Sequence, residues 1–254
     1  MTAALAISIA PNAVQSEVLR ERVHMLESRA GVRQVLLVTE WSSTASDQNS
    51  VIVLGGGGGG LAVTCPDGVP CVQGGLPLAQ RQRLALAIGG PVLSLSPPTD
   101  CPVMDREWRM SDRHVLDLEA AVNWSKSQWP HAQTWILGLN SGALSAAVAT
   151  ASIDALAGAV LLSCAEEAFD QPQKSDRMRI LAIRHRRDAS SAYATLAHTR
   201  GRKTLVTVHD ERAQHRGSMD GDAANGAQFA GKEYQVVDVV ARWILTGTAP
   251  DDIR

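Results

Sequence analysis

Between Trp135 and Ala147 the chain reads WILGLNSGALSAA, an apolar run that enters a tight turn of small residues and leaves as a small-residue helix. The turn, Gly138-Leu139-Asn140-Ser141-Gly142, has the spacing of the strand–turn–helix motif G-x-S-x-G, whose central serine is presented as a nucleophile. Here the central residue is Asn140. A carboxamide has no ionisable proton near neutral pH and does not replace a base-activated hydroxyl as an acyl acceptor. Asparagine does tolerate positive φ, which such a turn imposes, better than most non-glycine residues. Asn140 can therefore hold the turn without performing the chemistry. Ser141 comes one place late: Gly138 and Gly142 flank Asn140 symmetrically, whereas Ser141 has Leu139 and Ala143 at the equivalent positions. Asn140 is the expected tip. The backbone N–H of Ser141 then opens a helix, where unpaired donors and the helix dipole favour an anion.

A second feature is the run of six glycines, Gly55 to Gly60, directly after VIVL. It satisfies G-x-G-x-x-G only because any glycine run does. A dinucleotide loop must lead into a helix and be followed by an acidic residue for the ribose. LAVTCPDGVPC follows instead, and no Gly-Lys-Ser/Thr makes a phosphate loop. Two readings stay open. One is a flexible loop. The other is a loop whose backbone, at Gly55, Gly56 and Gly57, supplies N–H donors to an anion together with Ser141. A changed side chain at position 140 removes neither set of donors.

Bulk composition excludes several partners. Net charge is -2 and no Lys/Arg block stands out, so nucleic acid is not expected. The cluster Arg184, Arg186, Arg187 reads as a solvated loop. No apolar run reaches the ~18 residues that a membrane span needs. Cys65, Cys71, Cys101 and Cys164 form no CxxC pair, so neither metal nor cofactor is expected. Cys65 and Cys71 flank PDGVP and would close a small disulfide loop in an oxidising compartment, or stay free thiols in a reducing one. MTAALAISIAPNA has an apolar centre but no basic stretch, which points to a cytoplasmic protein, or a periplasmic one if a leader has been removed.

The elements that must position these residues follow from periodicity. Glu17–Ser28 and the β-rich VRQVLLVTEW, joined at Arg29–Gly31, predict an antiparallel hairpin, although Glu17–Glu27 also fits a helix. Strands are expected at 51–54, 91–96, 134–137, 159–163, 180–185 and 204–208. Helices are expected at 76–88, 111–128, 141–151 and 234–245, with Asp112 as a cap of the second and Val115, Leu118 and Val122 on its apolar face. Alternating strands and helices imply a mainly parallel sheet covered on both faces. Asp210 to Gly226 is a long polar connection.

Taken in order, the hairpin, the strand with its glycines, GLNSGALSAA, ILAIRHRRDAS and a terminal helix ending VVARWI resemble an α/β-hydrolase over roughly residues 15 to 247 of one 254-residue domain. In particular they are similar to bacterial α/β-hydrolases with a G-T-S-R-G-type elbow, and RMSDRHVLDLEAAV is similar to the helix before the nucleophile strand in that group. The resemblance implies about eight strands and little or no cap, since only Ala165 to Arg179 lies where caps insert. It also assigns positions. Asn140 stands where the nucleophile belongs, Asp188 at the acid and Ala227, in AQFAGKE, at the histidine; Ser190 stands where that group has a cysteine. Two of three triad positions then cannot act, and the loss of one already removes most of the rate. His215, in QHRGSM, and His209 lie in the connection where a hydrolase histidine sits, and either would be a rescuing base.

The expectation is a degenerate α/β-hydrolase, a pseudoenzyme binding a small molecule in the former pocket, or a protein partner or second copy. The alternatives are an enzyme of altered chemistry using Asn140 with His215 or His209, by water-mediated hydrolysis or a lyase or isomerase step, and a residual esterase using Ser141.

Overall fold

The computed structural model describes residues 19–41, 48–64, 71–73, 75–163, 178–186, 202–209, 229 and 231–254. The expected acid Asp188, the neighbouring Ser190, His215 and Ala227 lie outside the described residues, as do Cys65, Cys164 and most of the segment where a cap would insert.

The chain opens as a hairpin of β1 (Leu19–Arg29) and β2 (Val32–Trp41), not a helix, turning at Gly31 with φ 73°. There follow β3 (Asn49–Leu54), a ribbon of β4 (Ala62–Thr64) and β5 (Cys71–Gln73), α1 (Leu78–Ile88) and β6 (Val92–Leu95). Next come α2 (Arg106–Arg109), α3 (Asp112–Gln128), β7 (Gln133–Leu139) and α4 (Ser141–Ser152). The chain continues with β8 (Leu156–Leu162), β9 (Arg179–His185), β10 (Arg202–Val208), α5 (Glu233–Thr246) and β11 (Asp252–Ile253). As expected, a helix does not follow the glycines.

Among the described residues the main sheet has nine strands in the order β1-β2-β6-β3-β7-β8-β9-β10-β11. The β1–β2 and β2–β6 pairs are antiparallel and every pair from β6 to β11 is parallel. The sheet agrees with the expected eight or so strands, the ninth being β11, a two-residue strand against β10. Along β7 the side chains alternate between two cores. Ile136 faces Leu118, Val122, Ala143 and Ala147 of α3 and α4. Trp135, Leu137 and Leu139 face Leu84 and Ile88 of α1 and Val237 and Val240 of α5. Helices thus cover both faces, which is why the central strands read as unbroken apolar runs.

Local choices explain the helices. Ser111, rather than Asp112, caps α3, accepting a hydrogen bond from the His114 N–H at 3.3 Å. Both residue types cap well, and the chain enters the helix one residue earlier. α4 is mostly Ala, Ser, Gly and Thr, with Leu144 and Val148 the larger side chains, because it lies against the sheet with Gly142 to Ala151 all buried. Asp117 of α3, fully buried, accepts from Ser28 Oγ at 2.5 Å and Arg29 Nε at 2.8 Å, which ties the hairpin to the helix layer. Among the described residues no helix is long and apolar enough to cross a membrane.

The sheet order sets the place of the site. β3 and β7 are neighbours, paired Leu54↔Gly138, but the chain leaves β3 toward β6 on one side and leaves β7 toward β8 on the other. Adjacent parallel strands whose outgoing connections diverge leave a crevice at their carboxyl ends, where ligands bind in open α/β sheets. The glycine run leaves β3 there, and the Asn140 turn leaves β7 beside it.

Candidate active site

The turn after β7 is a strained elbow. Asn140 sits at φ 51°, ψ -121°, one of two described non-glycine residues at positive φ, with Ser163 at the end of the neighbouring β8. Such a conformation costs about 1–3 kcal/mol and persists only where the surroundings enforce it. They do so here. The Asn140 N–H donates to Leu162 O and the Ala143 N–H donates to Asn140 O, both at 2.9 Å. A Cβ on Gly138 would overlap the Gly142 carbonyl oxygen and lie 2.5 Å from Ala143 N and Cα. One on Gly142 would overlap Leu54 O and lie 2.7 Å from Gly55 O. The two glycines that frame Asn140 are thus required by the approach of strand and helix backbones.

The elbow places Asn140, not Ser141, at its tip. Asn140 is partly exposed and its Oδ1 is buried without a hydrogen-bond partner among the described residues. The Ser141 hydroxyl turns to the glycine loop and donates to Gly57 O at 2.9 Å. It is a strut between elbow and loop. Its backbone N–H is one of the donors at the start of α4 that an α-helix cannot pair internally.

The glycine loop lies against the elbow. A Cβ on Gly56 would be 2.9 Å from Asn140 Cβ and 3.1 Å from its Nδ2, so only glycine fits beside this side chain. The loop closes on itself through Gly59 N to Gly56 O at 2.9 Å and is held from behind by Met104 N to Gly58 O at 2.8 Å. Gly55 and Gly56 are buried and Gly57 is exposed. The structure thus brings Gly55, Gly56, Gly57, Asn140 and Ser141 together.

The described histidines do not join them. His209 follows β10 and its Nε2 lies 2.9 Å from Asp252 Oδ1, an interaction that lowers the Asp252 carboxyl below its usual range. β10 stands three strands from β7, roughly 14 Å at ~4.8 Å per strand. His185 is buried at the end of β9. His114 is 1 % exposed on α3, and burial, with Arg109 and Arg29 nearby, pushes its pKa down to about 3. Among the described residues no imidazole hydrogen-bonds Asn140 or Ser141, and no group of three or more His, Cys, Asp or Glu could hold a metal. An apolar cavity of about 30 Å³ lies beside the elbow between Leu139, Leu162, Phe229, Val236 and Val237, with Glu233 at its wall.

No family model and no curated protein matches the sequence. Solved structures do. A lidless α/β serine hydrolase from Xanthomonas campestris superposes with TM-score 0.59 at 16% identity, over 91% of this chain and 95% of its own. Dienelactone hydrolase from Anabaena variabilis gives TM-score 0.57 at 14% identity, over 89% and 97%. An α/β serine hydrolase homologue from Coxiella burnetii gives TM-score 0.57 at 14% identity, over 89% and 99%. The fold is that of the α/β-hydrolases. Within it the glycine loop after β3 and the Asn140 elbow after β7 occupy the two loops from which α/β-hydrolases build an oxyanion hole.

Two residues of this region escape a reading of the sequence. Ser163 shares the positive φ of Asn140, with its buried Oγ unpaired among the described residues; nothing in LLSC signals it. Arg109 lies behind the glycine loop, 1 % exposed. Its segment is part of the resemblance to hydrolases, yet no periodicity marks an arginine as buried.

Proposed function

We propose that this chain keeps the scaffold and anion-binding backbone of an α/β-hydrolase while binding a ligand there without hydrolysing it. The observation that carries the reading is the elbow: its tip is a carboxamide, and the adjacent serine hydroxyl is committed to Gly57 O. Acyl transfer needs a nucleophile at that tip and a base within about 3 Å of it. The resemblance adds Ala227 at the histidine position, so nucleophile and base are lost together. What supports binding is that the parts serving charge rather than covalent chemistry remain. These are the glycine loop against the elbow and the start of α4.

A panel of p-nitrophenyl acetate, butyrate and octanoate tests this. Turnover is expected to equal that of buffer with an inert protein. Turnover at least a hundredfold above that level overturns the reading. If such turnover disappears in His215→Ala, a water-activating histidine replaces it.

A further inference from the structure

Three carbonyls of the glycine loop accept hydrogen bonds from outside it. Arg109 Nη2 donates to Gly57 O at 2.8 Å and Gly55 O at 3.3 Å. Gly57 O also accepts from Ser141, and Gly58 O accepts from Met104 N. Arg109 Nη1 donates to Ser145 Oγ at 2.8 Å, one turn into α4. A single guanidinium therefore fastens the loop after β3 to the helix after β7.

The peptide bonds are trans, so the C=O of one residue and the N–H of the next point in opposite directions. With the Gly55 and Gly57 carbonyls drawn toward Arg109, the N–H groups of Gly56 and Gly58 point away from it. Gly56 is the glycine packed against the Asn140 side chain. Two peptide dipoles are thus held with their negative ends on a cation, one of them shared with the Ser141 hydroxyl, and their positive ends turned away from it. Among the described residues no carboxylate pairs with Arg109, although it is 1 % exposed. A buried charge without an opposite partner is costly and exerts its field through low-dielectric surroundings.

We infer that Arg109 is the positioning residue of this pocket, fixing the glycine-loop donors and adding a positive field that favours a carboxylate over its neutral isostere. The inference rests on the reading of the loop and elbow as a ligand pocket. Burial lowers the Arg109 pKa to about 10, which leaves the guanidinium charged at neutral pH. Among the described residues the titratable groups coupled to it are His114, held neutral above about pH 3, and Cys101, whose thiol is raised by burial.

The experiment compares butyrate with butyramide by chemical-shift titration of the folded protein between pH 6 and 9. Wild type is expected to prefer butyrate at least tenfold at every pH. In Arg109→Met the preference falls below threefold. In Arg109→Lys it persists at pH 6 and fades toward pH 9, because a buried ammonium loses its proton several units below its usual value; a residue that only fills space imparts no such pH profile. Equal binding of the two probes by wild type, or an unchanged preference in Arg109→Met, overturns the inference. If Arg109→Met does not fold, the lysine variant decides, and a pH-independent preference there overturns it. Ester turnover by wild type with the preference intact would instead sink the non-hydrolytic reading and leave this one standing.

Discussion

Gly138→Ala probes the packing on which the elbow depends. The added Cβ meets backbone only, overlapping Gly142 O and lying 2.5 Å from Ala143 N and Cα. Ordinary contact requires α4 to recede from β7 by about 1 Å, and α4 is buried over ten consecutive residues, Gly142 to Ala151. Overpacking of this kind costs about 1–3 kcal/mol, and the upper end applies because backbone cannot rotate aside as a side chain can. For a chain of this length about 3 kcal/mol lowers Tm by about 6–12 °C. Thermal unfolding followed by far-UV circular dichroism measures it. Gly60→Ala is the control: its Cβ meets nothing within 4 Å, and its Tm should stay within about 2 °C of wild type. Equal midpoints for the two variants would refute the close approach of β7 and α4 that forces Asn140 into positive φ.

Asn140→Gly should raise the unfolding free energy measured in urea by up to about 1 kcal/mol, because relief of about 1–3 kcal/mol of strain outweighs the added unfolded-state entropy of glycine. Asn140→Ser alone should leave p-nitrophenyl butyrate hydrolysis within tenfold of wild type, since a hydroxyl without a base stays a weak nucleophile. His114 should make stability fall in acid. Its folded pKa, about 3, lies below the unfolded value of 6.5; between them the unfolded chain binds a proton that the native state refuses, so stability is full above pH 6.5 and declines below it. From pH 7 to 5 urea unfolding should lose about 2 kcal/mol more in wild type than in His114→Gln. Asp117→Ala should cost about 3 kcal/mol in the same assay, because it strips Arg29 and Ser28 of a fully buried carboxylate.

The elbow was legible because geometry restricts its residue types: two glycines spaced about Asn140, between an apolar strand and a small-residue helix, have few other uses. The hairpin and the parallel strands were legible for a similar reason, alternation in one and unbroken apolar runs in the others. α2 and β11 were not, since four residues and two residues carry no periodicity and β11 exists only through its pairing with β10. Ser111 and Asp112 are equally good caps by type, and only the path of the chain decides between them. Arg109 was illegible for a deeper reason. Its burial follows from loop carbonyls contributed from more than fifty residues away, and no local pattern encodes such a partnership. The glycine run left a flexible loop and a donor-bearing backbone both open, and gave no sign of which face of it would be held.

The central claim is that no nucleophile stands at the elbow. Intact-protein mass spectrometry after incubation with an excess of a fluorophosphonate probe tests it most directly, because the probe marks any serine activated for acyl transfer. The account predicts unmodified protein. A stoichiometric adduct mapped to Ser141 would contradict it, showing that the hydroxyl bound to Gly57 O is released and activated in solution.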